Sequence, residues 1–195
     1  ATLLTSRGVP NIYYGTEQYV VPADGSDVSG RIFMQTDSSF DTDTTAYKLI
    51  GKLSELRQQN DAIAYGTTTI RYSNDDVLIY ERKFYDDVIL VAINRQPDKA
   101  YTIDNVETLL PEGEYVDFLG GMLNGENISV YASTGINTTA SITLDGGEVG
   151  VWQYDAAASA PEIGNVVSTM GRAGNRVYIY GDGLDGNISV KFGET

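Results

Sequence analysis

Cysteine and histidine are both absent from the 195-residue sequence. Without cysteine, the chain has no disulfide and no thiolate that can act as a nucleophile or a metal ligand. Without histidine, it lacks the side chain that most often serves as a general base or binds a metal near neutral pH. Catalysis by these residues alone would therefore have to use carboxylates, tyrosine or lysine.

Positive charge and long apolar runs are also scarce. The chain has 13 Lys and Arg residues against 27 Asp and Glu residues, which gives a net charge of −14. Because binding to phosphates needs a positive surface, we expect no nucleic acid partner. No apolar run approaches the length of about 18 residues that predicts a membrane span, so we expect no membrane partner either.

The acidic composition has two interpretations. It either serves simply to keep the protein soluble, or it is an adaptation to salt or alkali. In the second case, added salt screens the repulsion between like charges, and the melting temperature is expected to rise with salt concentration. The apolar content of 42% and the aromatic content of 10% indicate a folded globular protein.

The first 65 residues contain a predicted strand and a predicted helix. The β-prone run Ile12–Tyr14 stands between chain breakers and predicts a short buried strand that leads into a loop. A helix is predicted at about residues 43–59, with Asp41 or Asp43 as its N-cap. Its apolar face, recurring at helical spacing, comprises Ala46, Leu49, Ile50, Leu53 and Leu56.

From Gly66 onward, apolar and polar residues alternate, which is typical of β-strands. Tight turns at residues 74–76 and 85–87 separate the first three runs. Trp152 alternates with valines in the last run, which predicts a core position. The predicted strands are Thr68–Ser73, Val77–Phe84, Val88–Asn94, Tyr115–Leu119, Ile128–Tyr131, Ala140–Leu144 and Val149–Tyr154. Their spacing indicates an antiparallel sandwich of about 90 residues.

The order of residues in three stretches resembles the α-amylase family of glycoside hydrolases. The stretches are Gly8-Val9-Pro10-x-Ile12-Tyr13-Tyr14-Gly15-x-Glu17, Val77-x-x-Tyr80-Glu81-Arg82-x-Phe84 and Gly147-Glu148-Val149-Gly150-Val151-Trp152. Within that family, the sequence is most similar to cyclodextrin glucanotransferases and maltogenic α-amylases. The resemblance covers the chain from about Thr5 to its end.

The resemblance implies a mostly β architecture in three parts. Residues 1–65 would be the C-terminal remnant of a (β/α)8 catalytic barrel, with its last strand and helix. Residues 66–155 would be the all-β amylase C-terminal domain, an antiparallel β-sandwich. Residues 156–195 would be a linker and a partial immunoglobulin-like domain, since about 35 residues are too few for a whole domain of that kind.

For function, the resemblance implies a fragment of a secreted, monomeric enzyme that acts on α-1,4-glucans: starch, maltooligosaccharides and cyclodextrins. Family members cleave with three carboxylates and retain configuration through a glycosyl-enzyme. The resemblance implies that all three carboxylates lie upstream of the section that this sequence matches, so we expect this chain alone to be inactive. We expect no cofactor here, and calcium in the upstream part of the parent enzyme.

Three functions stay open. The first is a fragment of a cyclodextrin glucanotransferase, which makes cyclodextrins by transglycosylation. Leu119-Gly120-Gly121 favours that interpretation, whereas Trp152-Gln153-Tyr154 favours a maltogenic α-amylase, which is a hydrolase. The third function, of a different class, is a non-catalytic carbohydrate-binding or structural module.

Two candidate sugar sites follow from the resemblance. The first is the pair Asp27-x-x-x-Arg31, which in the family holds a donor-side sugar. A carboxylate and a planar guanidinium offer acceptors and several donors to sugar hydroxyls. The alternative is a solvated ion pair in a loop. The intervening Val28-Ser29-Gly30 replaces the Pro-Tyr-Asn that is usual in the family.

The second candidate is a surface maltose site formed by Arg71, Tyr72 and Asn74. An aromatic ring can stack on a pyranose face while polar neighbours bind its hydroxyls. The alternative is an ordinary cross-strand tyrosine beside a charged residue. Tyr72 stands where the family usually has tryptophan, and Asn105 stands where it has a glycine of this site.

Overall fold

The computed structural model describes residues 1–20, 40–132 and 138–191. The predicted mostly β class is confirmed, with antiparallel sheets and little helix. The helices are α1 (Thr2–Thr5), α2 (Thr45–Gln59) and α3 (Asp61–Ala64), with a 3-10 turn at Thr16–Gln18. None of the described helices is long and apolar enough to cross a membrane.

Helix α2 forms where it was predicted, but its cap differs. The hydroxyl oxygen of Thr44, rather than Asp41 or Asp43, accepts the backbone N–H of Tyr47 at 3.1 Å. The Asp41 carboxylate instead accepts the backbone N–H of Asp43 at 2.7 Å. The helix therefore starts one residue later than an aspartate cap at position 43 would allow, because the adjacent hydroxyl satisfies its first turn.

The predicted strand at Ile12–Tyr14 is wrong. Residues 11–13 belong to neither helix nor strand, and Tyr14 and Gly15 form a turn. A strand of a parallel sheet is held by hydrogen bonds to a neighbouring strand. None of the strands in the described ranges pairs with this segment, so the backbone takes a local turn instead. Ile12 still packs against an apolar cluster that includes α2.

Two four-stranded antiparallel sheets make up the sandwich. The first has the order β1-β2-β3-β8, and the second has the order β4-β7-β6-β5. The strands are β1 (Thr67–Ser73), β2 (Val77–Phe84), β3 (Asp87–Asn94), β4 (Tyr101–Thr108), β5 (Gly113–Tyr115), β6 (Ile128–Ala132), β7 (Thr138–Leu144) and β8 (Val149–Tyr154). A separate hairpin pairs β9 (Glu162–Val167) with β10 (Tyr178–Asp182).

Two elements of the sandwich differ from prediction. Strand β4 was missed because a bulge, with a register shift between Ile103 and Val106, interrupts its alternation. The strand predicted at Tyr115–Leu119 ends at Tyr115. The Asp117 carboxylate accepts the backbone N–H groups of Gly121 and Val151 at 2.9 and 3.0 Å, so the chain turns there instead of extending.

The first sheet is covered on both faces. One apolar cluster lies between the two sheets and contains Leu90, Ile142 and Trp152. The other packs α2 and α3 against the opposite face of the sheet. Trp152 is 1% exposed and donates its indole N–H to the Glu126 carbonyl at 2.8 Å, which confirms its predicted core position.

Two arginines join the N-terminal segment to the rest of the molecule. Arg57 of α2 donates to the carbonyls of Leu4, Ser6 and Gly8 at 2.9, 3.1 and 2.7 Å. The fully buried Arg82 of β2 donates to the Thr5 carbonyl at 3.2 Å. The helical part and the sandwich thus share an apolar cluster, and the hydrogen bonds of Arg82 join them. The boundaries at residues 65/66 and 155/156 stay a prediction.

Candidate functional site

The open side of the sandwich carries the predicted surface site. Strand β1 lies at one edge of the first sheet and strand β4 at one edge of the second, and the two strands contact each other. We call the polar region along this side the edge site. It comprises Arg71, Tyr72, Asn74, Asp76 and Tyr101.

A β-bulge shapes the β1 half of the edge site. The register between β1 and β2 places Ile70 opposite Tyr80 and Tyr72 opposite Ile79, which leaves Arg71 as the extra residue. A bulge bends the strand and re-aims the side chain of the unpaired residue. In this case the ring of Tyr72 lies half-buried against the core between the sheets.

The Arg71 side chain is directed into the protein. Its Nη2 lies 2.5 Å from the Oε1 of Glu81, and the two side chains are 10% and 1% exposed. The second Glu81 oxygen accepts the Thr108 hydroxyl at 2.6 Å and the Leu109 backbone N–H at 2.8 Å. Glu81 therefore connects the two sheets and holds the guanidinium. The buried Nε of Arg71 has no hydrogen-bond acceptor among the described residues.

Asn74 is fixed by three hydrogen bonds. Its Nδ2 donates to the Tyr72 hydroxyl at 3.1 Å. Its Oδ1 accepts the backbone N–H groups of Asp76 and Val77 at 2.8 and 2.6 Å. A phenol that accepts one bond still has its own proton to donate, and a primary amide has a second N–H. Tyr72 and the exposed Asn74 thus present adjacent donors beside an aromatic ring.

The β4 half of the edge site contains a second tyrosine. The Tyr101 hydroxyl donates to the Oδ2 of Asp76, and the Lys99 ammonium lies 4.3 Å from the centroid of the Tyr101 ring. Tyr101, and to a smaller extent Asp76, raise the pKa of the exposed Lys99. Sequence reasoning missed Lys99 and Tyr101 because strand β4 was not predicted, and it placed Asp76 in a turn without giving it a role.

The other predicted sugar site, Asp27 with Arg31, lies outside the described residues. Asn105 lies in β4 with a φ of 55°, in the left-handed region. Asparagine tolerates that region and glycine adopts it freely, so the replacement of the family's glycine by asparagine fits the local backbone.

A second polar feature is an acidic cavity of about 570 Å³. Its lining includes the carboxylates of Asp61, Asp87, Asp155 and Asp182, which come from four distant parts of the chain. Burial and then the nearby Asp182 raise the pKa of both Asp61 and Asp155. Among the residues that the structure describes, no cluster of three or more Asp, Glu, His or Cys side chains is arranged to hold a metal ion. The raised pKa values show that the ionised carboxylates that line this cavity repel one another.

Comparison with known proteins gives a consistent result. The sequence of residues 71–155 matches the protein family described as the α-amylase C-terminal all-β domain. The chain is 50% identical, over 196 residues, to a cyclomaltodextrin glucanotransferase of Geobacillus stearothermophilus. It is 52% identical, over 197 residues, to one of Thermoanaerobacterium thermosulfurigenes. Each alignment covers 100% of this chain and 26% of the relative.

The fold comparison agrees with the sequence comparison. The crystal structure of a gamma-CGTase from the alkalophilic Bacillus clarkii matches with a TM-score of 0.84 and 46% identity, covering 96% of this chain and 27% of that chain. The chain thus spans about a quarter of the length of the curated relatives it matches. By whole-chain identity and by fold, the chain belongs to the α-amylase family, as a relative of the cyclomaltodextrin glucanotransferases.

Proposed function

We propose that the chain is a section of a secreted cyclodextrin glucanotransferase, which converts starch into cyclodextrins by retaining transglycosylation. The observation that carries this proposal is the identity of about half of its residues with glucanotransferases along its whole length. Because these relatives are glucanotransferases, transglycosylation is favoured over the hydrolysis performed by a maltogenic α-amylase. Bound calcium belongs to the upstream part of the parent enzyme in this proposal.

The chain contributes binding and folding rather than catalysis. A retaining glycosidase needs two carboxyl groups about 5–5.5 Å apart on either side of the cleaved bond. At the edge site, Glu81 is 1% exposed and is bound by three donors, so it is unable to approach a sugar. Asp76 then has no accessible carboxylate partner within the edge site.

The edge site binds an α-1,4-glucan on the outside of the parent enzyme. Tyr72 supplies a half-exposed ring, and Asn74 supplies an amide fixed by its bonds to the turn. Arg71 acts mainly through position, since its ion pair with Glu81 holds the bulge from which Tyr72 projects. Asp27 and Arg31 hold a donor-side sugar, as the resemblance implies.

The first experiment tests catalysis. The 195-residue chain is incubated with starch, and reducing sugar and cyclodextrin are measured. A full-length glucanotransferase of Geobacillus stearothermophilus serves as the positive control. We expect no product from the chain alone, whereas release of sugar would show that it carries its own catalytic groups.

The second experiment tests the edge site. The chain is titrated with maltose and with β-cyclodextrin by calorimetry or NMR. We expect Tyr72→Ala to weaken binding, because it removes the ring and one hydroxyl. The matched control is Tyr131→Ala, since Tyr131 is a 60% exposed tyrosine of the second sheet. Equal affinity in the Tyr72→Ala variant and in the original chain would remove the edge site from the account.

A further inference from the structure

We propose that a cavity between the N-terminal segment, α2 and the β9–β10 hairpin binds a small oxyanion of the sulfate, phosphate or carboxylate class. Its volume is about 450 Å³, and we call it the arginine cavity. The polar side chains in its lining are those of Arg7, Arg57, Tyr65 and Asn165. The inference goes beyond the proposed function, because it concerns neither a sugar nor the edge site.

Three arginines come together here without a carboxylate partner. Arg7 and Arg57 line the cavity, and their positive charges reach the fully buried Arg82. Burial, then the charge of Arg57 and to a smaller extent that of Arg7, lower the pKa of Arg82. Among the described residues, none of these three arginines forms an ion pair. Because charges taken out of water are normally paired, positive charge without a counter-charge in a chain of net charge −14 favours an anion at this place.

Backbone carbonyls hold two of the guanidinium groups but do not neutralise them. Arg82 donates to the carbonyls of Thr5, Ile63 and Gly66 at 3.2, 3.0 and 2.7 Å. Arg57 donates to three carbonyls of the N-terminal segment in the same way. A carbonyl is a dipole without net charge, so the positive charge of each guanidinium remains. Since a guanidinium has five N–H groups, Arg57 also keeps donors for a ligand.

Arg7 is the group best suited to bind the anion. It is exposed, and its side chain forms no hydrogen bond or ion pair among the described residues. A free guanidinium offers a planar fork that can bind two oxygens of an oxyanion at once. The Tyr65 hydroxyl and the Asn165 amide add neutral donors to the lining. The cavity therefore offers donors and positive charge without a carboxylate, which suits an oxyanion and opposes a cation.

The hairpin forms one wall of the arginine cavity through a close contact. Gly164 lies so near the Tyr65 ring that a Cβ built on it would be 2.4 Å from the Cγ of that ring. Asn165 follows directly in β9 and lines the cavity. An oxyanion held by Arg7 and Asn165 would thus connect the N-terminal segment to the hairpin. Bound anion should therefore slow amide hydrogen exchange in β9 and β10.

The test uses the whole 195-residue chain and sodium sulfate as the probe. Backbone amide NMR signals are followed during the titration, with sodium chloride at equal ionic strength as the reference for screening. Arg7→Gln is the variant, because it removes the free fork and breaks no contact among the described residues. Arg172→Gln is the matched control, since Arg172 is an exposed arginine in the connection between β9 and β10.

We expect sulfate, but not chloride, to give saturable shifts at Tyr65, Gly164 and Asn165, with slower hydrogen exchange in the hairpin. Arg7→Gln should lower the sulfate affinity about tenfold, the effect of one lost charge-assisted hydrogen bond, and Arg172→Gln should leave it unchanged. Shifts that do not saturate, or equal sulfate affinity in Arg7→Gln and the original chain, would overturn the proposal.

The oxyanion could come from solution or from a carboxylate side chain in the rest of the parent enzyme. A chimera distinguishes the two sources, with this chain in place of the matching section of the Geobacillus stearothermophilus enzyme. Sulfate binding to the chimera by calorimetry, lost in Arg7→Gln, indicates an anion from solution. No sulfate binding, together with a melting temperature that Arg7→Gln lowers and Arg172→Gln does not, indicates a carboxylate of the parent enzyme.

Discussion

Glu81 is the residue on which the edge strands depend most. Its buried carboxylate forms an ion pair with Arg71 and accepts hydrogen bonds from the Thr108 hydroxyl and the Leu109 backbone N–H. Glu81→Gln keeps the shape but leaves the Arg71 guanidinium buried without a counter-charge. We expect a loss of about 3–5 kcal/mol in the free energy of unfolding, measured in urea.

The control for this substitution is Glu114→Gln. Glu114 is an exposed carboxylate that accepts the Ser129 hydroxyl at 2.8 Å on the second sheet. A surface change of that kind is expected to stay within about 0.5 kcal/mol. If the two substitutions cost the same, Glu81 does not hold Arg71 and connect the two sheets in the way that we describe.

The roles of single residues were only partly predictable from sequence. The pattern predicted that Trp152 is in the core, because strand alternation alone decides that position. It did not predict that Arg71 faces inward, because this depends on a one-residue bulge and on a carboxylate ten positions away. It did not predict the left-handed backbone at Asn105, because sequence spacing does not reveal a backbone angle.

At the scale of elements, the hairpin β9–β10 meets the rest of the chain through a glycine. A Cβ built on Gly164 would lie 2.4 Å from the Cγ of Tyr65, so only glycine allows the hairpin to approach that ring. Gly164→Ala should push the hairpin away from Tyr65. We expect faster amide hydrogen exchange in β9 and β10, with unchanged exchange in the sandwich.

Gly51→Ala provides the comparison. Gly51 lies inside α2, and a Cβ built there meets no atom within 4 Å. Since alanine favours helix over glycine by about 1 kcal/mol, this variant should be stabilised. Unchanged hydrogen exchange in the Gly164→Ala hairpin would show that the Tyr65 contact does not hold it in place.

Elements with a regular period were predictable, and elements that depend on partners were not. Helix α2 and strands β2 and β8 follow directly from spacing and appear at or near the expected bounds. The run Ile12–Tyr14 has strand composition, yet a parallel strand needs a neighbour, and the described residues supply none. Strand β4 forms because β7 pairs with it across a bulge, although its own alternation is broken.

For the whole molecule, the net charge of −14 and the acidic cavity give a prediction for pH. Burial raises the pKa of Asp61, Asp87 and Asp155 above that of an unfolded carboxyl. The folded state therefore binds these protons more tightly, and stability increases as pH falls through the raised values. We expect a higher melting temperature near pH 5 than at pH 7.5.

Two measurements check the electrostatic origin of this effect. Asp182→Asn removes one charge that raises the pKa of Asp61 and Asp155, so it should reduce the difference in melting temperature between the two pH values. Added salt should raise the melting temperature at pH 7.5, because it screens repulsion between carboxylates. A melting temperature independent of both salt and pH would contradict this account.

Family membership was the most predictable property at this scale. The order of residues in three short stretches indicated it, and the family model of the α-amylase C-terminal all-β domain matches residues 71–155. The contacts between the parts were not predictable. The hydrogen bonds from Arg82 to the carbonyls of Thr5 and Ile63 join segments far apart in sequence, and the lining of the acidic cavity does the same.

The central claim, which follows from the proposed function, is that this chain has the same binding and folding role as the matching section of a cyclodextrin glucanotransferase. The most direct test replaces the matching 196 residues of the Geobacillus stearothermophilus enzyme, which are 50% identical, with this chain. Cyclodextrin formation from starch is then measured on the purified chimera, after its folding has been verified by circular dichroism. We predict that the chimera forms cyclodextrins, and a folded chimera that forms none would contradict the account.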